Sequence, residues 1–282
     1  MTIMETAQPS HHSPLGAADR QPSPTGSLLT SVTTIAEFQL RRMLTRSRLA
    51  VAAIGILFPS VVIAAVGRTA GFPLDNDLAA LLIYALVPEA VCVLALLVTM
   101  CPVVADELER GTWIHVAVRP GGRRAMILGT YAAAVIWTVA VGGLALIPAV
   151  MISGADQPIR IFLVMLGLAV LSAAGRGALF SLPAVILPKR AMVASVGLAI
   201  VVEYLAGMLP AVINQATVSL RLRSLLVEGM GWRRQLPAEL QLLIDSQPAV
   251  VQVMAVALLV TILLTAAVVI VERRQFPPSE EI

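Results

Sequence analysis

Six apolar runs dominate this chain: Leu49 to Gly67, Leu78 to Ala105, Ala125 to Ala155, Ile161 to Pro188, Ala191 to Leu220 and Ser246 to Val271. Each is long enough to cross the ~30 Å hydrocarbon core of a bilayer as a helix, whereas a barrel strand needs only about ten alternating residues. In lipid every backbone polar group must be satisfied within its own segment, so the pattern predicts an all-α integral membrane protein with six transmembrane helices. Composition excludes a soluble globular fold: 13% of residues are charged and 58% hydrophobic, against about 25% charged in soluble domains. The third run exceeds the core thickness, which predicts tilt, kinks or extension into the headgroup layer.

The placement of Lys and Arg orients the bundle. Arg41, Arg42, Arg46, Arg48, Arg110, Arg119, Arg123, Arg124, Lys189, Arg190, Arg273 and Arg274 fall on the side of the chain ends, and Arg68, Arg160, Arg221, Arg223, Arg233 and Arg234 on the other. This excess of twelve over six places both termini in the cytoplasm by the positive-inside rule, as an even number of spans requires. Residues 1–27 are rich in Pro and Ser and precede any apolar run, so they lack the order of a cleaved signal and are expected to form a disordered cytoplasmic tail. Residues 28–48 follow as an amphipathic interfacial helix. Leu29, Val32, Ala36, Leu40 and Met43 recur on one face, with Thr33, Glu37, Arg41 and Arg42 on the other. The six-span domain occupies 49–272, and 273–282 form a second cytoplasmic tail.

Two stretches between spans carry more pattern than a plain loop. Residues 214–245, on the external side, place Leu222, Leu225 and Leu226, then Leu236, Leu240, Leu243 and Ile244, at helical spacings. The expectation is two short external helices on or dipping into the outer leaflet before the last span. Gly229 and Gly231 mark the break, Pro237 a first helical turn and Trp232 the water interface. Residues 105–124, on the cytoplasmic side, run from acids to bases. If Asp106 to Glu109 open a helix and Arg119 to Arg124 close the segment, the charges complement its dipole, giving a short helix parallel to the membrane.

The motifs a chain needs for independent chemistry are missing from the sequence. No GxxxxGK[ST] stretch occurs, and the single lysine, Lys189, has no glycine loop before it, which excludes ATP hydrolysis by a P-loop mechanism. His115 is the one histidine outside the tail, no HExxH or GxSxG is present, and no cofactor is expected in this chain. Cys92 and Cys101 fit neither a CxxC pair nor one helical face, so both read as reduced and buried. The basic residues form no stripe, which argues against nucleic acid as a partner.

Phe38-Gln39-Leu40-Arg41-Arg42-Met43-Leu44 and Asp106-Glu107-Leu108-Glu109-Arg110-Gly111-Thr112-Trp113 are followed by Arg119-Pro120, Arg124 and Ile127-Leu128-Gly129. Together with the six-span layout, these residues resemble the permease subunits of ABC-2 type exporters. Thr130 stands where that family commonly has a lysine. The resemblance implies an export permease of a prokaryotic cytoplasmic (inner) membrane, paired with a second copy or a related permease. Two separate ABC ATPase subunits would hold the ATP and Mg. It also implies that the segment after the second span is a coupling helix, contacting the ATPase through Glu107, Glu109, Arg110, Gly111, Thr112 and Trp113.

Three ionisable residues lie near mid-membrane: Glu89, Arg176 and Glu203. Each costs roughly 2.5 to 3.5 kcal/mol at the centre of a bilayer on insertion scales, so they are expected to meet one another or a wet cavity. In one reading Arg176 holds one carboxylate while the other meets a cationic or hydroxyl-rich substrate or gates a path; in the other the group fixes helix register. The same carboxylates admit a rival class, an intramembrane lipid-modifying enzyme with Glu89 and Glu203 as acid and base. An ATP-independent channel or scaffold is a third. Pro59, Pro88, Pro102, Pro148, Pro183 and Pro210 predict kinks within the spans.

Overall fold

The computed structural model describes residues 28–70, 73–109, 111, 113, 118–119, 121–205, 217–232 and 247–274, and no strand occurs among them. The helices are α1 (Leu28–Met43), α2 (Arg46–Ala70), α3 (Asn76–Glu109), α4 (Gly122–Ser153) and α5 (Pro158–Ile186). They are followed by α6 (Ala191–Leu198, continued by a π-helical turn Ala199–Leu205), α7 (Val218–Met230) and α8 (Ala249–Arg273). Five of them, α2, α3, α4, α5 and α8, are long and apolar enough to cross a membrane. Successive helices run up and down, so Arg42, Asp106, Arg123, Lys189 and Arg274 gather at one end, here the basic end, and Asp77, Asp156, Arg160 and Trp232 at the other.

Helices α3, α4 and α5 form the centre. Of their most apolar windows 44%, 39% and 39% is buried, against 17% for α2 and 11% for α8. The outer faces of α2 and α8 expose Ile54, Leu57, Val61, Met254, Leu258 and Ile262. Lipid tails are as apolar as these side chains, so their exposure carries no penalty, and cohesion comes from close packing of small residues instead. Ala145 and Ala149 of α4 share a buried cluster with Met165 and Leu168 of α5, Ala134 shares one with Phe180 and Ala184, and Gly142 lies beside Ala169. Cys92 and Cys101 are free and buried, and the Cys92 sulfur lies against Gly142.

Helix α1 packs on the first half of α4, burying Ala36, Gln39 and Met43 against Ala133. A Cβ at Gly129 would stand 2.8 Å from Ile35 Cγ2 and 2.9 Å from the Val32 carbonyl oxygen, so glycine is what lets α1 approach so closely. The buried stripe is rotated from the one read in the sequence: Leu29 is 72% exposed, whereas Gln39 is buried and Arg42 turns inward. Packing against a helix, rather than against a flat interface, selects this face.

Two expectations need correction. The run Ala191 to Leu220 is not one continuous helix. α6 passes into a π-helical turn at Ala199, and a new helix begins at Val218 behind Thr217, whose extended backbone (φ −86, ψ 145) and side chain, accepting from Leu220 N–H, make an N-cap. Glycine and β-branched content alone do not distinguish one apolar helix from two. In the segment 214–245, expected to form two external helices, α7 is helical but packs into the core through Val218, Leu222, Leu226 and Met230 and ends at Gly231 in the left-handed region (φ 77), while the second expected helix lies outside the described residues.

The acids Asp106 to Glu109 do not open a helix either; they sit in the last turns of α3, and Arg123 and Arg124 sit in the first turn of α4. Both placements oppose the helix dipoles. Compensation comes from other elements. Arg42 Nη2 donates to Asp106 Oδ2 at 2.6 Å, Arg42 Nη1 to Glu107 Oε1 at 3.3 Å, and Arg48 lies 3.8 Å from Asp106. Arg123 donates to the carbonyls of Val271, Glu272 and Arg274, which end α8, and Arg124 pairs with Glu272.

Candidate functional site

The three mid-membrane ionisable residues meet at the centre of the bundle. Arg176, four residues after Ser172 on α5, is 1% exposed. Its Nη1 donates to the Pro88 carbonyl at 2.9 Å and to Ser172 Oγ at 2.8 Å. Its Nη2 donates to Glu89 Oε2 at 2.5 Å and to Ser219 Oγ at 2.9 Å, and its Nε lies 3.5 Å from Glu203 Oε2. A planar guanidinium has five donors in a fixed fork, and here each faces an oxygen.

Each acid is placed by an irregular backbone. Glu89 lies in the π-helical turn Ala85–Val91, with Pro88 beside it lacking the N–H that would close an ordinary helical turn. The wider turn brings residues five apart onto one face, so Tyr84 Oη donates to Glu89 Oε1 at 2.6 Å. The Pro88 carbonyl accepts from both Arg176 and Ser172, the latter at 2.7 Å. Glu203 lies in the second π-helical turn and turns its carboxylate to the first residues of α7. Its Oε1 accepts from Val218 N–H at 3.2 Å, and its Oε2 from Ser219 N–H at 2.9 Å and Ser219 Oγ at 2.6 Å.

These contacts explain how α7 begins inside the bundle. The first N–H groups of a helix have no intrahelical partners, and lipid supplies none. Glu203 satisfies two of them and Thr217 Oγ1 a third, at 3.3 Å from Leu220 N. From there α7 runs antiparallel along α5. Val218 packs where a Cβ on Gly175 would come within 2.9 Å of its γ carbons, and Gly229 lies equally close to Val164. Arg160 donates to the Gly229 carbonyl at 2.9 Å, and Trp232 donates to Asp77, fixing the far end. At 1.5 Å per residue α7 is about 20 Å long, roughly two thirds of a hydrocarbon core. α6 covers the other half of α5, from the Pro188–Arg190 turn to the level of Arg176. Two half-helices therefore flank α5, and the charge cluster is where their ends face it.

With both carboxylates ionised the cluster carries one net negative charge, which the positive end of α7 offsets in part. Each carboxylate is engaged on both oxygens. The picture of one carboxylate held by Arg176 and the other left for a ligand therefore does not describe this arrangement. The partners Tyr84, Ser172 and Ser219 are not apparent from the sequence by charge; Ser172, at i−4 from Arg176, is the one that helical spacing signals.

At the basic end the six residues expected in a coupling contact separate. Glu107 is buried against Arg42. Trp113 is buried in an apolar cluster with Val103, Val104, Met126, Ile127 and Val271. Glu109 and Gly111 lie at the surface, the latter with φ 69, and Arg110 and Thr112 lie outside the described residues. No family model and no curated protein matches this chain.

Proposed function

We propose that the chain is the membrane-spanning permease subunit of an ATP-binding cassette exporter, moving its substrate outward with energy from a separate ATPase. The observation that carries this reading is the crossing built from α6 and α7, two half-helices whose ends face a buried charge cluster at mid-bundle. Transporters use such discontinuous helices because their free ends supply fixed dipoles at the depth where a path must open and close. A scaffold has no need of one, and a lipid-modifying site would need a carboxylate with an oxygen to spare.

In this reading the pair α6 and α7 serves as the fifth of six crossings, so both termini lie in the cytoplasm of a prokaryotic cell and α1 rests at the inner interface. The end of α3 and the residues after it form the coupling segment. Glu107 and Trp113 anchor it to α1 and to the core, while Glu109 and Gly111 face the ATPase. Two permease chains and two ATPase chains complete the exporter.

The test is reconstitution with a P-loop ATPase of the same cell that co-purifies with this chain. ATP turnover should appear when both components are present and fall at least tenfold in Glu109→Arg, with assembly of the purified permease unchanged. Full ATP turnover by the ATPase without this chain, or no complex between the two, would remove the reading.

A further inference from the structure

We propose that the basic end carries a specific site for an acidic phospholipid, seated between α3 and the start of α6. A groove of about 390 Å³ opens there, floored by Leu97 and Val98 of α3 and Met192 and Val193 of α6, and rimmed by Lys189 and Arg190. No acid lines it. Met192 and Val193 are 55% and 75% exposed, so the apolar wall faces lipid rather than protein.

Charge complementarity names the occupant. Arg42, Arg123, Arg124 and Arg274, at the same end, are committed to protein carboxylates and helix-ending carbonyls. The side chains of Lys189 and Arg190 have no ion-pair or hydrogen-bond partner among the described residues, although they are adjacent and lie on one rim. Two unpaired cations above an apolar slot match a headgroup phosphate above an acyl chain, the combination by which basic pockets between spanning helices select anionic lipids. A soluble anion would leave the slot uncovered, and a zwitterionic lipid would leave the rim with an unneutralised charge. The turn that presents both cations, Pro188–Arg190, also starts α6, the half-helix leading to Glu203. A lipid seated there would bear on the element that ends at the charge cluster.

Quenching of a tryptophan introduced as Val193→Trp tests the site in the full chain. The chain is placed in vesicles of equal phosphatidylglycerol and phosphatidylcholine, with bromine on the acyl chains of one lipid at a time. Brominated phosphatidylglycerol should quench preferentially, and Lys189→Ala with Arg190→Ala should reduce that preference about fivefold for each charge removed. Lys189→Arg should retain it, as should the double variant Arg46→Ala with Arg119→Ala, which removes two exposed charges at the same end outside the groove. Inorganic phosphate in excess over headgroups should leave the quenching unchanged. Equal quenching by the two lipids, displacement by phosphate, or an equal loss in the Arg46 and Arg119 variant would each overturn the proposal. A charge-removed chain that no longer shows the parent helicity would be replaced by Lys189→Gln with Arg190→Gln, judged by the same criterion.

Discussion

Arg176 is the residue on which the centre of the molecule depends. It pairs with two carboxylates and satisfies the Pro88 carbonyl, so Arg176→Ala would leave two acids inside the bundle in each other's field without a cation. Breaking a buried ion pair from one side costs about 3–5 kcal/mol, and unfolding in denaturant-titrated micelles should show a loss of that order. Glu203→Gln is milder. Its amide oxygen can still accept from Ser219 and face Arg176, but its NH2 then turns toward Val218 N–H, which already donates, for a loss of about 1–3 kcal/mol in the same titration. If the cluster also gates a path, Glu89→Gln lowers transport in vesicles while the chain still assembles; transport equal to the parent would confine Glu89 to a structural part. Glu89, Arg176 and Glu203 were visible in the sequence because a charge inside an apolar run has few ways to be stable. Tyr84 was not, because its pairing with Glu89 depends on a five-residue turn that a 3.6-residue period misses.

At the scale of elements, close contacts at glycines decide which helices touch. Gly175→Ala would place a methyl 2.9 Å from both γ carbons of Val218, and a loss of about 1–3 kcal/mol is expected, largely recovered when Val218→Ala is added. Gly129→Ala has no comparable rescue, since its Cβ would meet the Val32 carbonyl oxygen at 2.9 Å and backbone gives way poorly. Limited proteolysis between α1 and α2 should quicken in that variant and stay slow with Ile35→Ala alone. Five long helices were legible from hydropathy because lipid imposes one simple rule on length. The division of the run Ala191 to Leu220 was not, because the run stays apolar across the end of α6 and into the first three residues of α7, whose charges begin only at Arg221. The clues were local ones, Thr217 ahead of Val218 and the polar pair Asn214 and Gln215, which average out across a long window. The direction of α3 past Ala105 was missed for a related reason: acids at a helix end normally mark its start, and cations far away in the chain, Arg42 sixty-four positions earlier and Arg48 beside it in space, offset that preference.

For the whole molecule, the sorting of Arg and Lys between two ends makes topology the deciding measurement. Single cysteines replacing Arg46 and Arg273 in a chain lacking Cys92 and Cys101 should react with an impermeant maleimide only in broken cells, and those replacing Arg68 and Asp156 in intact ones. Labelling of Arg46 and Arg273 positions from opposite sides would mean an odd number of crossings. The ends themselves carry a broader consequence. The acids closing α3 and the arginines opening α4 are each poorly suited to their own helix and are held there by α1 and by the tip of α8. The end of α3 and the start of α4 therefore have little autonomy: their charges are balanced by two neighbours that are far away in the chain. Whatever tugs on either neighbour is felt at those helix ends, so a force applied at that surface is shared among several segments of the chain at once.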